Sequence, residues 1–187
     1  MRPASCLHCD RCEGYCRLDA AAVARLTAGT TLRAENWLQL LRQAGRYPGL
    51  LHVGASPDTV ARIASGQIYL ASPYSLQVTD PVSRRWSRWR SREMAASATL
   101  HVAALASRGI TAVSPIIQSA AICDLLTEFD PLDERFWGAW CQPMLDASRA
   151  VVVPDIPGWR ESLGVWREVV WALDRNVPVH VYGRAEG

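Results

Sequence analysis

Hydrophobic and polar positions divide the chain into three zones. Residues 1–17 are rich in cysteine and polar side chains and have no periodic apolar pattern. Residues 18–66 carry apolar side chains at helical spacing, including Trp37 and Leu41. From residue 67 onward, short β-branched runs alternate with longer helical patterns. The helices predicted in the middle zone span residues 19–26, 34–44 and 57–64, the last preceded by Ser56 as a suitable N-cap.

The third zone predicts a parallel sheet, because short buried strands separated by helices need right-handed crossovers. The predicted strands span residues 68–71, 110–113, 150–153 and 177–181, and the predicted helices span residues 92–107, 134–147 and 163–174. We therefore expect an α/β fold, a Rossmann-like (flavodoxin-like) three-layer domain over residues 67–187 with a parallel sheet of about four or five strands. A Cys-rich, helical extension over residues 1–66 is expected to precede it.

Composition narrows the class of protein. A hydrophobic fraction of 49% and a charged fraction of 20% are those of an ordinary globular chain. The net charge of +2 is too small to favour nucleic acid or a membrane surface as a partner. No run approaches the roughly 18 apolar residues of a spanning helix, and the first residues lack the apolar core of a signal peptide. A cytoplasmic location is the expectation.

Reactive side chains follow the predicted strands. Ser72 and Tyr74 follow the first, Ser114 follows the second, and a turn leading to Ser162 and Glu168 follows the third. Carboxyl ends of parallel strands meet at one edge of a sheet, where helix N-termini offer free N–H groups to anions. We therefore expect one site at this edge, with Glu168 as a potential nucleophile.

Three segments in this order, IYLASPYS, VSPI and VVVPDIPGWRESLGVWREV, resemble the nucleoside 2-deoxyribosyltransferase-like superfamily. Within it, they are most similar to a bacterial and phage branch with the motifs YLASPYS, SPI and PGWxxSxGVxxE. The resemblance covers residues 67–182. It implies retaining glycosyl transfer without a cofactor: Glu168 attacks the anomeric carbon of a (deoxy)ribosyl group and expels the base, and the sugar then passes to water or to a second base.

The same resemblance implies a small-molecule substrate, a nucleoside or nucleoside 5′-monophosphate. Nucleotide N-glycosidases of the superfamily carry serine in a SLGVxxE setting, as Ser162 and Gly164 do here. A hydroxyl beside helix N–H groups suits a phosphate. Dimers or larger assemblies are common among relatives, which implies a homo-oligomer. The substrate-binding residues implied are Tyr69, Ser72, Pro73, Tyr74, Ser114, Gly158, Trp159, Ser162 and Gly164.

The sequence also departs from the superfamily pattern. Cys141 stands where relatives often have an aspartate, and Gln118 lies near the place of a histidine that follows SPI in many members of the branch. Asp146 or Asp155 are candidate replacements for the aspartate. The alternative function is a non-catalytic nucleotide-binding or sensor module with a metal-binding extension.

Each site residue also has a purely structural interpretation. Glu168 is a solvated helix carboxylate paired with Arg167 or Arg160 in this interpretation, and Ser162 is only an N-cap. Trp159 and Trp166 then bury area against the sheet.

Residues 84–92 contain five arginines and two tryptophans. Guanidinium groups in this loop suit a substrate phosphate. Arginine together with tryptophan also suits single-stranded nucleic acid, which is the less favoured interpretation. A structural role at the start of a helix is the third alternative.

Two further segments invite hypotheses about the extension. Cys6, Cys9, Cys12 and Cys16 have the spacing of a bacterial ferredoxin run, but there is no second run. A structural zinc, with His8 as a spare ligand, is favoured over an iron–sulfur cluster, and an unmetallated tail is the alternative. Residues 46–65 faintly resemble a helix-turn-helix, although Pro48 and Gly49 would break its first helix.

Overall fold

The computed structural model describes residues 34–42 and 44–183. The predicted helix over residues 19–26 and the cysteine cluster of residues 6–16 lie outside the described residues. Among the residues described, no helix is both long enough and apolar enough to cross a membrane.

Five strands form one parallel sheet, which confirms the predicted α/β class. The sheet order is β1-β5-β4-β2-β3. Without β1 this is the flavodoxin-like order: β3 lies on one side of β2, and β4 followed by β5 lies on the other. The direction of winding changes between β2 and β4, and ligands bind at such a switch point. The strands are β1 (Leu51–Val53), β2 (Ile68–Leu70), β3 (Ala112–Val113), β4 (Ala150–Val153) and β5 (Val179–Val181).

The edge strand β1 corrects two expectations. Residues 46–65 do not form a helix-turn-helix, because Leu51 and Val53 pair in parallel with Val179 and Val181 of β5. The zone over residues 18–66 is therefore not helical throughout, and it contributes a strand to the α/β sheet. Three residues are too few to show the alternation that marks a strand in sequence, and the pairing partner is distant along the chain.

Seven α-helices surround the sheet in the described part of the chain. Two were not predicted: the short helix Ser75–Val78 and the helix Pro115–Leu125. The second is apolar on nearly all sides, so its sequence shows no helical period. The predicted helix over residues 92–107 begins earlier, at Arg88, where Ser87 accepts a hydrogen bond from the Arg90 amide. The helices are α1 (Ala34–Arg42), α2 (Pro57–Ile63), α3 (Ser75–Val78), α4 (Arg88–Ala106), α5 (Pro115–Leu125), α6 (Glu134–Asp146) and α7 (Leu163–Asp174).

The strands bury both faces. On one face Tyr69, Val151 and Val179 pack in a core shared with α1 and α7. On the other face Leu70 and Val152 pack in a core shared with α2 and α4. Successive side chains of a strand point to opposite faces of the sheet. Because both faces are covered at β4, all four of its residues are buried, and its sequence is a continuous apolar run of one alanine and three valines.

A tryptophan cluster joins α1 to the segment after β4. The Trp37 ring meets Trp159 and Trp166 edge-on, with ring centroids 4.7 and 4.8 Å apart. Its Nε1–H donates to the Arg160 carbonyl at 2.9 Å. Edge-to-face aromatic pairs add about 0.5–1.5 kcal/mol each beyond the area they bury. The cluster therefore fixes the turn that leads into α7.

Candidate active site

A cavity of about 650 Å³ opens at the carboxyl edge of the sheet, beside the switch point between β2 and β4. The segment after β2 and the start of α5 form one side. The segment after β4 and the first turns of α7 form another, and one face of α6 covers the cavity. The segments that follow two predicted strands therefore meet here, as their shared edge requires.

Gly158 holds the segment after β4 against the segment after β2. Its φ is +91°, and a Cβ built on it would overlap the amide nitrogen of Gln77 in α3. The left-handed backbone conformation disfavours any side chain at this position, and a side chain would also force the end of the Gln77 side chain to move. The Ala71 amide donates to the Val152 carbonyl at 2.8 Å, which ties the same two segments together one residue beyond β2.

Substituting Gly158 with alanine is expected to destabilise the protein by about 1–3 kcal/mol, because the left-handed backbone conformation is strained for a residue that has a side chain. Gly164→Ala is the matched control, since its Cβ would meet only the Ser162 Oγ at 3.7 Å and its φ is not in the left-handed region. Urea unfolding of the two variants measures the difference. Equal stability of the two would contradict the role assigned to Gly158.

The N-terminus of α7 borders the cavity. Ser162 is its N-cap, and the Ser162 Oγ accepts a hydrogen bond from the Val165 amide at 3.3 Å. The amides of Leu163 and Gly164 belong to the first turn, where no helical carbonyl is available to them. Ser162, Leu163 and Gly164 all line the cavity. This end of the helix can accept an anionic group through backbone N–H groups and the helix dipole.

Glu168 lies further along α7 and is held by a tyrosine from β2. The Tyr69 hydroxyl donates to Glu168 Oε1 at 2.5 Å, and the Tyr69 side chain is only 1% exposed. Burial raises the pKa of Glu168 to about 7, and the hydrogen bond from Tyr69 partly opposes this rise. Burial and the Glu168 carboxylate raise the pKa of Tyr69 well above its usual value. As the pH rises and Glu168 loses its proton, Tyr69 therefore keeps its own proton and continues to donate a hydrogen bond to the carboxylate.

Cys141 completes this group from α6. It lines the cavity and interacts with the Tyr69 hydroxyl. Burial, followed by the Glu168 charge, raises the pKa of the Cys141 thiol to about 12. The residue that replaces the expected aspartate is therefore beside the candidate nucleophile and neutral near pH 7. Neither Asp146 nor Asp155 lines the cavity, and both are exposed.

The other predicted site residues divide into two groups. Pro73 and Ser72 line the cavity, and the Ser72 Oγ is buried without a hydrogen-bond partner among the described residues. Tyr74 lines it too, but its hydroxyl is occupied by the Ser91 Oγ at 2.8 Å and by Trp86 Nε1–H at 3.3 Å.

Two predicted residues do not reach the cavity. Ser114 is buried at the N-cap position of α5 and is not part of the lining. Trp159 is buried against Trp37 and is not among the lining residues, so the area-burying interpretation fits its position.

Arginines are scarce at the cavity. Arg167 lines it and pairs with Glu134 at 3.2 Å, so it does not pair with Glu168. None of the five arginines of residues 84–92 is among the lining residues. Arg88 and Arg92 pair with Asp124 of α5. The structural interpretation of this loop therefore fits it best.

The cavity face of α6 was missed by reasoning from strand ends. Its residues recur at helical spacing, a signal that was present in the predicted helix over residues 134–147. They are Glu134, Trp137, Gly138, Cys141, Gln142 and Leu145. Among the described residues, no group of three or more His, Cys, Asp or Glu side chains is placed to hold a metal ion.

Comparison with known proteins places the chain in a family. No curated protein matches it. The model of a family described as a domain of unknown function, DUF1937, matches residues 66–184, which include β2 to β5 and every residue that lines the cavity. Because this match covers well over half of the chain, the protein belongs to the DUF1937 family.

Proposed function

We propose that the protein cleaves the N-glycosidic bond of a nucleoside or a nucleoside 5′-monophosphate, with Glu168 as the nucleophile. The observation that carries the proposal is the Tyr69–Glu168 pair, set in a cavity at the switch point of a parallel sheet. A carboxylate with a raised pKa beside a fixed hydrogen-bond donor is typical of catalytic sites. The resemblance to the nucleoside 2-deoxyribosyltransferase-like superfamily points to the same residue.

The proposed reaction has two steps. Tyr69 holds Glu168 Oε1, which leaves Oε2 to attack the anomeric carbon as the base departs. Water or a second base then attacks the same carbon, and the carboxylate is released with net retention. The carboxylate must be ionised to attack, so activity rises with pH through about 7, the pKa to which burial raises Glu168.

The remaining lining supplies contacts for the rest of the substrate. The Ser72 Oγ is available to a sugar hydroxyl, because no described residue engages it. A 5′-phosphate fits the N-terminus of α7 at Ser162 and Gly164. A volume of about 650 Å³ lies within the range of small-molecule sites.

A second candidate, a nucleotide-binding sensor without turnover, is favoured by one observation. Cys141 takes the place of an acid, and the pKa of its thiol, raised to about 12, leaves it uncharged. A structural zinc in the N-terminal extension and assembly into a homo-oligomer remain predictions.

The test uses the full chain with a panel of nucleosides and their 5′-monophosphates at pH 8.5. We expect chromatography to show free base, and mass spectrometry after an acid quench to show a glycosyl adduct on the peptide that contains Glu168. Glu168→Ala is the control for both readouts. Tight nucleotide binding with no base released by either protein would support the sensor and overturn the enzyme.

A further inference from the structure

The charges and aromatic rings that line the cavity affect which kind of base, neutral or cationic, the protein can expel. When the C1′–N bond of an ordinary nucleoside breaks, the electron pair goes to the base nitrogen. A neutral base then leaves as an anion unless an acid protonates it. A base that is already cationic, such as a pyridinium, leaves as a neutral molecule and needs no proton.

The described part of the cavity lining offers no acid in a position to protonate the base. Of the described residues that line it, none is a histidine or an aspartate. Tyr69 is committed to Glu168, and the Tyr74 hydroxyl to Ser91 and Trp86. Cys141, at the position of the expected acid, is a thiol whose pKa is raised to about 12. It is too weak an acid to protonate a departing base efficiently near pH 7.

Two glutamates remain besides the nucleophile, and neither is built as an acid catalyst. Glu134 is exposed, and its carboxylate pairs with Arg167 at 3.2 Å. Glu161 is exposed on the turn before α7. Both residues are exposed, and one of the two carboxylates is already paired with an arginine, so neither is held in place to protonate a departing base.

The same carboxylates give the cavity a negative balance. Among the described residues, the charged lining consists of Glu134, Glu161, Glu168 and Arg167, and this arginine already has a carboxylate partner. Away from the N-terminus of α7, such a lining favours a positively charged base over a neutral one.

An aromatic platform adds to this preference. Trp137 lines the cavity from α6, and its Nε1–H donates to the Asp130 carbonyl at 2.9 Å, which fixes the ring. Trp137 also meets Trp140 and Phe136 edge-on, at 5.5 and 4.9 Å between ring centroids. A fixed indole ring binds a planar cation by stacking and by cation–π attraction.

We infer that the preferred substrates are N-glycosides whose base carries a positive charge, pyridinium ribosides being the simplest class, an inference that rests on the proposed glycosidase activity. Glu168 forms a C1′–O bond as the C1′–N bond breaks. The electron pair of the breaking C1′–N bond stays on the pyridinium nitrogen and neutralises its charge. Water then attacks C1′, the C1′–O bond to Glu168 breaks, and the carboxylate recovers its electron pair. The net reaction consumes one water and yields the free sugar, the neutral pyridine and one proton.

The test compares nicotinamide riboside and its 5′-monophosphate with adenosine, uridine and their 5′-monophosphates, at pH 8.5 with the full chain. The rates are compared as kcat/KM, because a site without a general acid leaves the full difference between a neutral and a cationic leaving group in the catalysed rate. We expect kcat/KM to be at least about a hundredfold larger for the two pyridinium compounds, since a general acid would otherwise contribute a factor of that size to the cleavage of the neutral bases.

Cys141→Asp tests whether a missing acid limits the cleavage of neutral bases, because an added acid should help these bases and not the pyridinium compounds. The variant is expected to raise cleavage of adenosine and uridine by about tenfold or more without a matching gain for nicotinamide riboside. Cys141→Ser, which adds no acid, is expected to give no gain with either class, and thermal melting checks that both variants fold. Equal kcat/KM values of the wild-type protein for neutral and cationic bases overturn the inference and leave the proposed function intact. If no compound is cleaved, both fail.

Discussion

Replacing Glu168 with glutamine is expected to reduce base release by on the order of a thousandfold or more, because an amide does not attack the anomeric carbon. Glutamine has the same shape, and its carbonyl oxygen can still accept the Tyr69 hydrogen bond that Glu168 Oε1 accepts at 2.5 Å. Folding and substrate binding should therefore survive. Single-turnover measurement of free base, together with calorimetry of nucleotide binding, distinguishes lost chemistry from lost binding.

Two further variants sharpen this experiment. Glu93→Gln removes an exposed carboxylate from α4, outside the cavity, and should leave the rate within about twofold of wild type, as surface changes usually do. Tyr69→Phe removes the hydrogen bond that lowers the pKa of Glu168, so the midpoint of the pH–rate profile should move above 7. Base release by the Glu168→Gln variant at the wild-type rate would exclude Glu168 as the nucleophile.

The part of the site that could be predicted lies at the ends of recognisable strands. Residues 150–153 form a β-branched run with a turn after it, so the position of Ser162 and Glu168 at the carboxyl edge followed from the parallel topology. Tyr69 was expected in the pocket, and its neighbour across the site, Glu168, comes from a helix 99 residues later. The hydrogen bond between them depends on the placement of α7 over the sheet, which strand and helix patterns do not specify.

The features that could not be predicted depend on distant partners. The superfamily resemblance implied a substrate-binding role for Trp159, but its ring packs against Trp37, a residue 122 positions earlier. The strand β1 is recognisable only through its pairing with β5. In both examples the deciding contact joins the zone before residue 66 to the end of the chain, and sequence periodicity carries no record of such contacts.

The support of the site therefore extends beyond the part of the chain that the family model matches. Trp37 lies before residue 66, yet it is 1% exposed and bonds the Arg160 carbonyl in the turn before α7. The strand β1 forms one edge of the sheet and pairs with β5. Residues outside the family match thus help to hold the turn from which Ser162 and Glu168 follow.

Glu168→Gln is also expected to stabilise the protein at high pH. Burial raises the pKa of Glu168 from its ordinary 4.5 to about 7, so the folded state retains a proton that the unfolded chain has lost. The favourable contribution of this proton is complete below about pH 4.5 and disappears as the pH rises through about 7. A difference of that size between the folded and unfolded pKa corresponds to about 3 kcal/mol.

At pH 8.5 the glutamine variant, which has no charge to bury, should therefore melt roughly 6–12 °C above wild type, whereas at pH 4.5 the two should nearly coincide. Melting curves from pH 4 to 9, followed by circular dichroism, give the dependence directly, with Glu93→Gln as an exposed carboxylate that should show no such divergence. Equal melting temperatures at every pH would mean that Glu168 is well solvated. The same burial that destabilises the fold raises the pKa of the carboxylate, and a desolvated carboxylate is the better nucleophile. The stability that the Glu168→Gln variant gains and the activity that it loses therefore have one physical origin.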